Sequence, residues 1–228
     1  VGEYAVAGED VVARAPQAEK ADAAHAAALP LAGMTAMQAL RRAGIKQGDR
    51  VLVTGGAGGV GHFAVQLAKR VFGASHVTAT ASPKKFDFVK SLGADEVVDY
   101  KDKAKLLGLA QFDVVFDAAG EAVTVAPLLK PSHTLVSVAA TPDNFPGANT
   151  IVSWALWFMA RHERNAAAQA KCDYTFMLLN PNTADLTELV GWVDQGLVVP
   201  HVDLVVDGLD KFADAFAHIE SGHSTGKV

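Results

Sequence analysis

Five glycines stand within seven positions in the stretch GGAGGVG, Gly55 to Gly61. Gly56, Gly58 and Gly61 fit the spacing G-x-G-x-x-G. An apolar run, Val51 to Val53, precedes the loop, and apolar residues at helical spacing follow it. A strand, a glycine turn and a helix in that order make a phosphate cradle. Glycine allows the tight turn and lets backbone N–H groups come close to a pyrophosphate, while the helix N-terminus adds a partial positive charge. The chemistry expected of Gly55, Gly56, Ala57, Gly58, Gly59, Val60 and Gly61 is dinucleotide binding. The alternative is a tight turn that holds no ligand.

A site for NAD places Asp or Glu about twenty residues further on, at the end of the second strand. Here TATASPKKFDF puts Ala81 and Ser82 at the strand end and Lys84 and Lys85 just after it. The first acid, Asp87, already lies within the next helix. A carboxylate would repel a 2′-phosphate, whereas a lysine binds one as a point charge. The expected cofactor is therefore NADPH, and the alternative for the two lysines is a solvated helix start.

Other chemistries find less support. There is no G-x-S-x-G elbow for a serine hydrolase. None of the eight histidines form H-x-x-x-H. His162, in RHER, reads as a residue on an exposed helix face. His62 either faces the glycine loop or serves packing. The single cysteine, Cys172, excludes an internal disulfide and a cysteine-rich zinc lobe, suits a reducing compartment, and reads as a buried, inert thiol. A net charge of −5 gives no reason to expect nucleic acid or an anionic membrane. No apolar run is long enough to span a bilayer, the opening residues lack a signal-peptide pattern, and a cytoplasmic location is expected.

The elements that must position the loop alternate along the chain. Half of the residues are apolar and a fifth are charged, as in a globular protein with a sizeable core. Ala21 to Ala43 is alanine-rich and helical, interrupted by Pro30 and Gly33. Strands are expected at Arg50–Thr54, His76–Thr80, Glu96–Val98, Asp113–Phe116 and Thr134–Val138. Helices are expected at Val60–Phe72 and Lys84–Leu92. This rhythm predicts an α/β fold with a doubly wound parallel sheet covered on both faces. Beyond Pro142 the rhythm changes. Thr150 to Ala160 carries an aromatic cluster that reads as core, or as a partner surface or pocket wall. YTFMLL is a strand, and Leu186 to Gln195 is an amphipathic helix ending at Gly196. The opening, VGEYAVAGEDVVARAP, reads as an edge strand and loop entered from something upstream, so the sequence is expected to be a piece of a longer chain.

Six stretches, AALPLAGMTAMQAL, VLVTGGAGGVGHFAVQLAK, SLGADEVVDY, FDVVFDAAG, TLVSV and GHSTGKV, resemble the zinc-independent medium-chain dehydrogenase/reductase family of the quinone oxidoreductase (zeta-crystallin-like) type. The resemblance implies a Rossmann nucleotide domain over 36–170. Residues 1–35 would end a mainly β substrate domain and form the hinge, and 171–228 would be an edge strand returning to that domain. It implies a 2′-phosphate contact for Lys85, eight residues before Gly93, with Tyr100 in the same pocket. Thr35 would lie near the nicotinamide, and Ala139 and Ala140 beside its ring. Lys227 is either a cofactor contact or a solvated tail lysine. Zinc-dependent relatives place a cysteine where this chain has Leu31, so no metal is expected.

The activity implied is NADPH-dependent reduction of a quinone or an α,β-unsaturated carbonyl, by a homodimer joined through the edge strand near Tyr174 to Leu178. Residues that form one wall of the family's active-site cleft lie upstream of what is present here, and no residue of this chain is assigned as catalytic. The alternatives are a cofactor-binding module without turnover, or another zinc-independent enone or enoyl reductase of the superfamily.

Overall fold

The computed structural model describes residues 6–17, 19–139 and 161–228. Two helices, α1 (Ala23–Ala27) and α2 (Leu29–Arg42), lead into the sheet. Pro30 lies in the first turn of α2, where its missing N–H breaks no bond. The alternation follows: β1 (Arg50–Thr54), α3 (Gly61–Gln66), β2 (His76–Ala81), α4 (Phe86–Ser91), β3 (Glu96–Asp99), α5 (Lys103–Leu107), β4 (Val114–Asp117), α6 (Ala122–Val125) and β5 (Thr134–Ser137). Then come α7 (Arg161–Gln169), β6 (Asp173–Phe176), α8 (Thr183–Asp194) and α9 (Phe212–Glu220). Helix α3 continues as a π turn over Leu67–Val71, closed by Phe72 N–H on the Leu67 carbonyl at 2.9 Å.

The six strands form one parallel sheet in the order β3-β2-β1-β4-β5-β6. The expected doubly wound sheet is present. Successive strand residues face opposite sides, so each apolar run feeds two cores. Val51, Val53, Val114 and Phe116 join one core, with Met37 and Leu40 of α2, Phe63 of α3 and Leu189 of α8. Leu52 and Val115 join the other, with Leu106 of α5, Val125 of α6 and Ala167 of α7.

Several expectations shift. Gly33 does not interrupt α2: it lies inside the helix, where a Cβ would come within 2.5 Å of the Leu189 side chain, so the absent side chain lets α8 approach. The strand in YTFMLL stops at Phe176 because its partner β5 stops at Ser137, directly opposite. Residues 6–17 form no strand; Glu9–Val11 is a short 3₁₀ turn. Of a second, mainly β domain, the described residues show one isolated bridge, Val202 to Lys227. The aromatic cluster at 150–160 lies outside the described residues.

Candidate dinucleotide site

The glycine loop joins the C-terminal end of β1 to the start of α3, beside the point where the strand order reverses between β1 and β4. Four of the five glycines have distinct physical reasons. Gly55 turns the chain at φ +65. A Cβ on Gly56 would meet Ala79 of β2 at 2.8 Å, and one on Gly61 would run into the Gly55 carbonyl. These two positions let strand and helix approach. Gly58 differs: a Cβ there would touch only the Gly55 carbonyl, at 3.3 Å. The amides of Gly59 and Val60 have no hydrogen-bond partner among the described residues. Bare backbone and unpaired N–H groups at a helix start fit an anionic phosphate.

Beneath the loop runs a row of buried polar side chains that closes the four central strands: Thr80, Thr54, Asp117 and Ser137. Thr80 Oγ1 accepts the Gly55 N–H at 3.0 Å, and the Thr80 carbonyl accepts Gly56 N–H at 2.8 Å. Thr54 and Ser137 both donate to Asp117, at 2.6 and 2.9 Å. The Ala118 and Ala119 amides donate to Thr54 Oγ1 at 3.0 and 3.2 Å. Sequence reasoning quoted FDAAG but gave Asp117 no role. The available signal was a polar residue closing each apolar run at the edge where ligands sit.

Above this row opens a cleft of about 730 Å³. Its walls include Gly55, Ala57 and Gly58 of the loop, Thr80 and Ala81 at the end of β2 with Ser82 to Lys85 after it, Tyr100 and Lys101 after β3, and Ala118, Ala119 and Glu121 after β4. Gly222, His223 and Ser224 of the C-terminal segment close one side. Three lysines, Lys84, Lys85 and Lys101, are thus among its walls. One acid also lines the cleft, Glu121, 3.1 Å from Lys103.

Among the residues expected in the site, Gly55, Ala57, Gly58, Ser82, Lys85 and Tyr100 are gathered at this cleft. Gly56, Gly59, Val60 and Gly61 support it from within the loop. Lys85 Nζ donates to the carbonyls of His223 and Ser224 at 2.9 and 2.7 Å. Burial pulls its pKa below the ordinary lysine value, and Asp203 nearby opposes that shift. Tyr100 is partly exposed, with Lys101 Nζ over its ring. Thr35 is not among the cleft walls: it is buried in α2, donating to the Leu31 carbonyl at 2.6 Å. Ala139 is exposed just past β5, and Ala140 lies outside the described residues. Lys227 crosses beside Gly59, its Nζ 3.6 Å from where a Cβ would stand.

His62 is fully buried and serves packing. Its Nδ1 lies 2.9 Å from the Gly58 carbonyl, and its Nε2 accepts the His201 N–H at 3.3 Å. This pair of partners fixes the proton on Nδ1. Burial lowers its pKa to about 4. Cys172 is buried with its thiol toward the Ala167 carbonyl, and burial raises its pKa. No group of three or more His, Cys, Asp or Glu side chains is gathered for a metal among the described residues. No helix among them is long and apolar enough to cross a membrane.

Residues 92–228, more than half of the chain, match the family model described as zinc-binding dehydrogenase. The whole chain is 37% identical to 2-methylene-furan-3-one reductase of Solanum lycopersicum, covering 51% of that protein. It is 36% identical to the NADPH-dependent alkenal/one oxidoreductase, chloroplastic, of Arabidopsis thaliana, covering 52% of it. The quinone oxidoreductase of Coxiella burnetii superposes with a TM-score of 0.76 at 33% identity, over 91% of this chain and 60% of that one. The chain spans about half to two thirds of the length of the curated relatives it matches. It belongs to the zinc-binding dehydrogenase family, within the medium-chain dehydrogenase/reductases, and its relatives named here are quinone oxidoreductases and enone reductases.

Proposed function

We propose that the chain is the nucleotide-binding part of an NADPH-dependent oxidoreductase that reduces a quinone or an α,β-unsaturated carbonyl. The observation that carries this reading is the cleft itself: open backbone at Gly58 at one point, lysines and no strand-end acid at another. The names of the relatives point to the same substrate classes.

NADPH, when bound, would supply the hydride; the protein's part is to hold and orient. The Gly59 and Val60 amides would meet the pyrophosphate, with Gly55 to Gly61 shaping the turn. Lys85, Ser82 and Tyr100 would surround the 2′-phosphate end. Ala139 and Ala140, after β5, would lie beside the nicotinamide. Thr35 would reach that region only if its hydroxyl left the Leu31 carbonyl. Lys227, beside Gly59, would contribute positive charge near the phosphates. The described residues supply the cofactor side of the cleft, and we assign none of them as the acid that completes reduction.

Residues 36–170 would form the nucleotide domain, with 1–35 ending a zinc-free substrate domain and forming the hinge, and 171–228 adding the edge strand and returning to that domain. A homodimer would join copies through β6. The lone buried thiol suits the cytoplasm or another reducing compartment.

The test is oxidation of NADPH with a small quinone and with a small enone. It is run on these 228 residues and on a chain that adds the upstream region of a full-length relative. NADPH binding by both, with activity orders of magnitude higher in the longer chain, is expected, because positioning alone contributes several kcal/mol to lowering a barrier. Equal kcat/KM in the two would overturn the division of labour. No activity in the longer chain would favour a cofactor-binding module without turnover.

A further inference from the structure

A lysine ammonium has three N–H donors. In Lys85 two of them are taken by backbone carbonyls, those of His223 and Ser224. The chain supplying these carbonyls is a strap, Ser221 to Lys227, folded across the rim of the cleft. It is tied down at several points. Ser221 Oγ donates to the His218 carbonyl at 2.6 Å and accepts the His223 N–H at 3.2 Å. Thr225 N–H donates to Asp203 Oδ2 at 3.1 Å, and His218 Nε2 lies 2.7 Å from the same oxygen. Further along, Gly226 N–H donates to the Ala57 carbonyl of the glycine loop at 2.9 Å.

A free lysine side chain keeps about 2 kcal/mol of rotamer entropy. The side chain of Lys84, the preceding residue, makes no hydrogen bond or ion pair among the described residues and is exposed. Lys85 differs in being aimed. Two carbonyls fix the ammonium without an ion-paired carboxylate among the described residues, leaving its third N–H for an anion.

We propose that the strap is a specificity element: by capping Lys85 with the His223 and Ser224 carbonyls, it holds the ammonium where a cofactor 2′-phosphate is met. Asp203 and Ser221 are then positioning residues, acting through the strap on Lys85. This rests on the NADPH reading of the cleft.

The sign of one substitution separates this from simple electrostatics. Asp203 is an acid near Lys85, so deleting it should strengthen phosphate binding if charge alone mattered. If the strap matters, Asp203→Ala frees Thr225 and His218 and weakens it. Asp203→Asn removes the charge but keeps an oxygen that can accept both bonds. NADPH and NADH are titrated by fluorescence against the 228-residue protein and its variants. Asp203→Ala is expected to raise the NADPH Kd about fivefold while NADH changes less than about twofold, with Asp203→Asn near the parent. Ser221→Ala loosens the strap with no change of charge and should give the same selective loss. It serves also if Asp203→Ala proves unstable. In Lys85→Ala, adding Ser221→Ala should cost nothing further, because the strap acts through a side chain already gone. NADPH binding that is unchanged or tighter in both loosened variants would overturn the proposal, as would equal weakening of the two cofactors. A parent protein with no preference for NADPH would instead refute the underlying reading of the cleft.

Discussion

Thr54 Oγ1 donates to Asp117 Oδ1 at 2.6 Å, and both side chains are completely shielded from solvent. They close neighbouring strands where the sheet order reverses. The same oxygen accepts the Ala119 and Glu121 amides, at 3.2 and 2.9 Å, and the other oxygen accepts Ser137. One carboxyl group therefore shapes the turn that walls the cleft opposite the glycine loop.

Asp117→Ala should destabilise the fold by about 3 kcal/mol, because it strands several buried donors at once. Asp117→Asn should cost less, since the amide oxygen can keep the Thr54, Ala119 and Glu121 bonds. Denaturant unfolding of the two variants checks the order; equal losses would mean that the network carries little of the stability.

Gly58→Val should leave the fold intact, because only the Gly55 carbonyl stands near the new Cβ. Cofactor binding should fall by at least about tenfold for both NADPH and NADH, as the branched side chain would fill the space a pyrophosphate needs. Retained binding in a folded variant would reduce the loop to a turn.

Lys85→Ala should weaken NADPH by about tenfold, or about 1.4 kcal/mol, and leave NADH nearly unchanged. Paired fluorescence titrations decide it. Equal effects on both cofactors would place the lysine away from the 2′-phosphate.

His62 carries a pH prediction. Its pKa in the folded chain is lowered to about 4 by burial, so between that value and the ordinary 6.5 the unfolded chain takes up a proton that the folded one refuses. The contribution of this histidine to stability is therefore fully present above pH ~6.5 and is lost as pH falls toward ~4, by about 3 kcal/mol in all. Melting curves of the parent and His62→Gln across that window should converge as the pH drops. A constant gap would show that the ring does not titrate this way.

Association is expected through β6, the edge of the sheet, whose outer side pairs with no strand among the described residues. Sedimentation at micromolar concentration should show a dimer, and a monomer would contradict the proposed pairing.

The sheet was readable because parallel strands buried on both faces must be apolar runs, and VLV, VVF and TLVSV are such runs. The glycine turn was readable because its spacing answers to steric needs that no other residue meets. Helices α5 and α6 were not anticipated: each is about one turn with only one or two buried side chains, which leaves no periodic trace, and only α5 has a side-chain cap, Asp102 accepting the Lys105 N–H. Helix α9 has apolar residues at helical spacing, yet Phe212, Phe216 and Ile219 are all substantially exposed, so its pattern marks no buried face of the described fold. The strap on Lys85 was invisible for another reason. Backbone carbonyls carry the contact, and they have no sequence signature.

The Thr54–Asp117 bond also joins residues 63 positions apart. During synthesis at roughly 5–20 residues per second, β1 and its glycine loop would leave the ribosome about 3–12 s before β4 exists to pair with them. For that interval one side of β1 is an unpaired edge and the apolar Val51 to Val53 run has no neighbour on that side. Among the strands of the sheet, β1 thus waits longest for a neighbour, and its bare edge is one that a holding chaperone would have reason to cover.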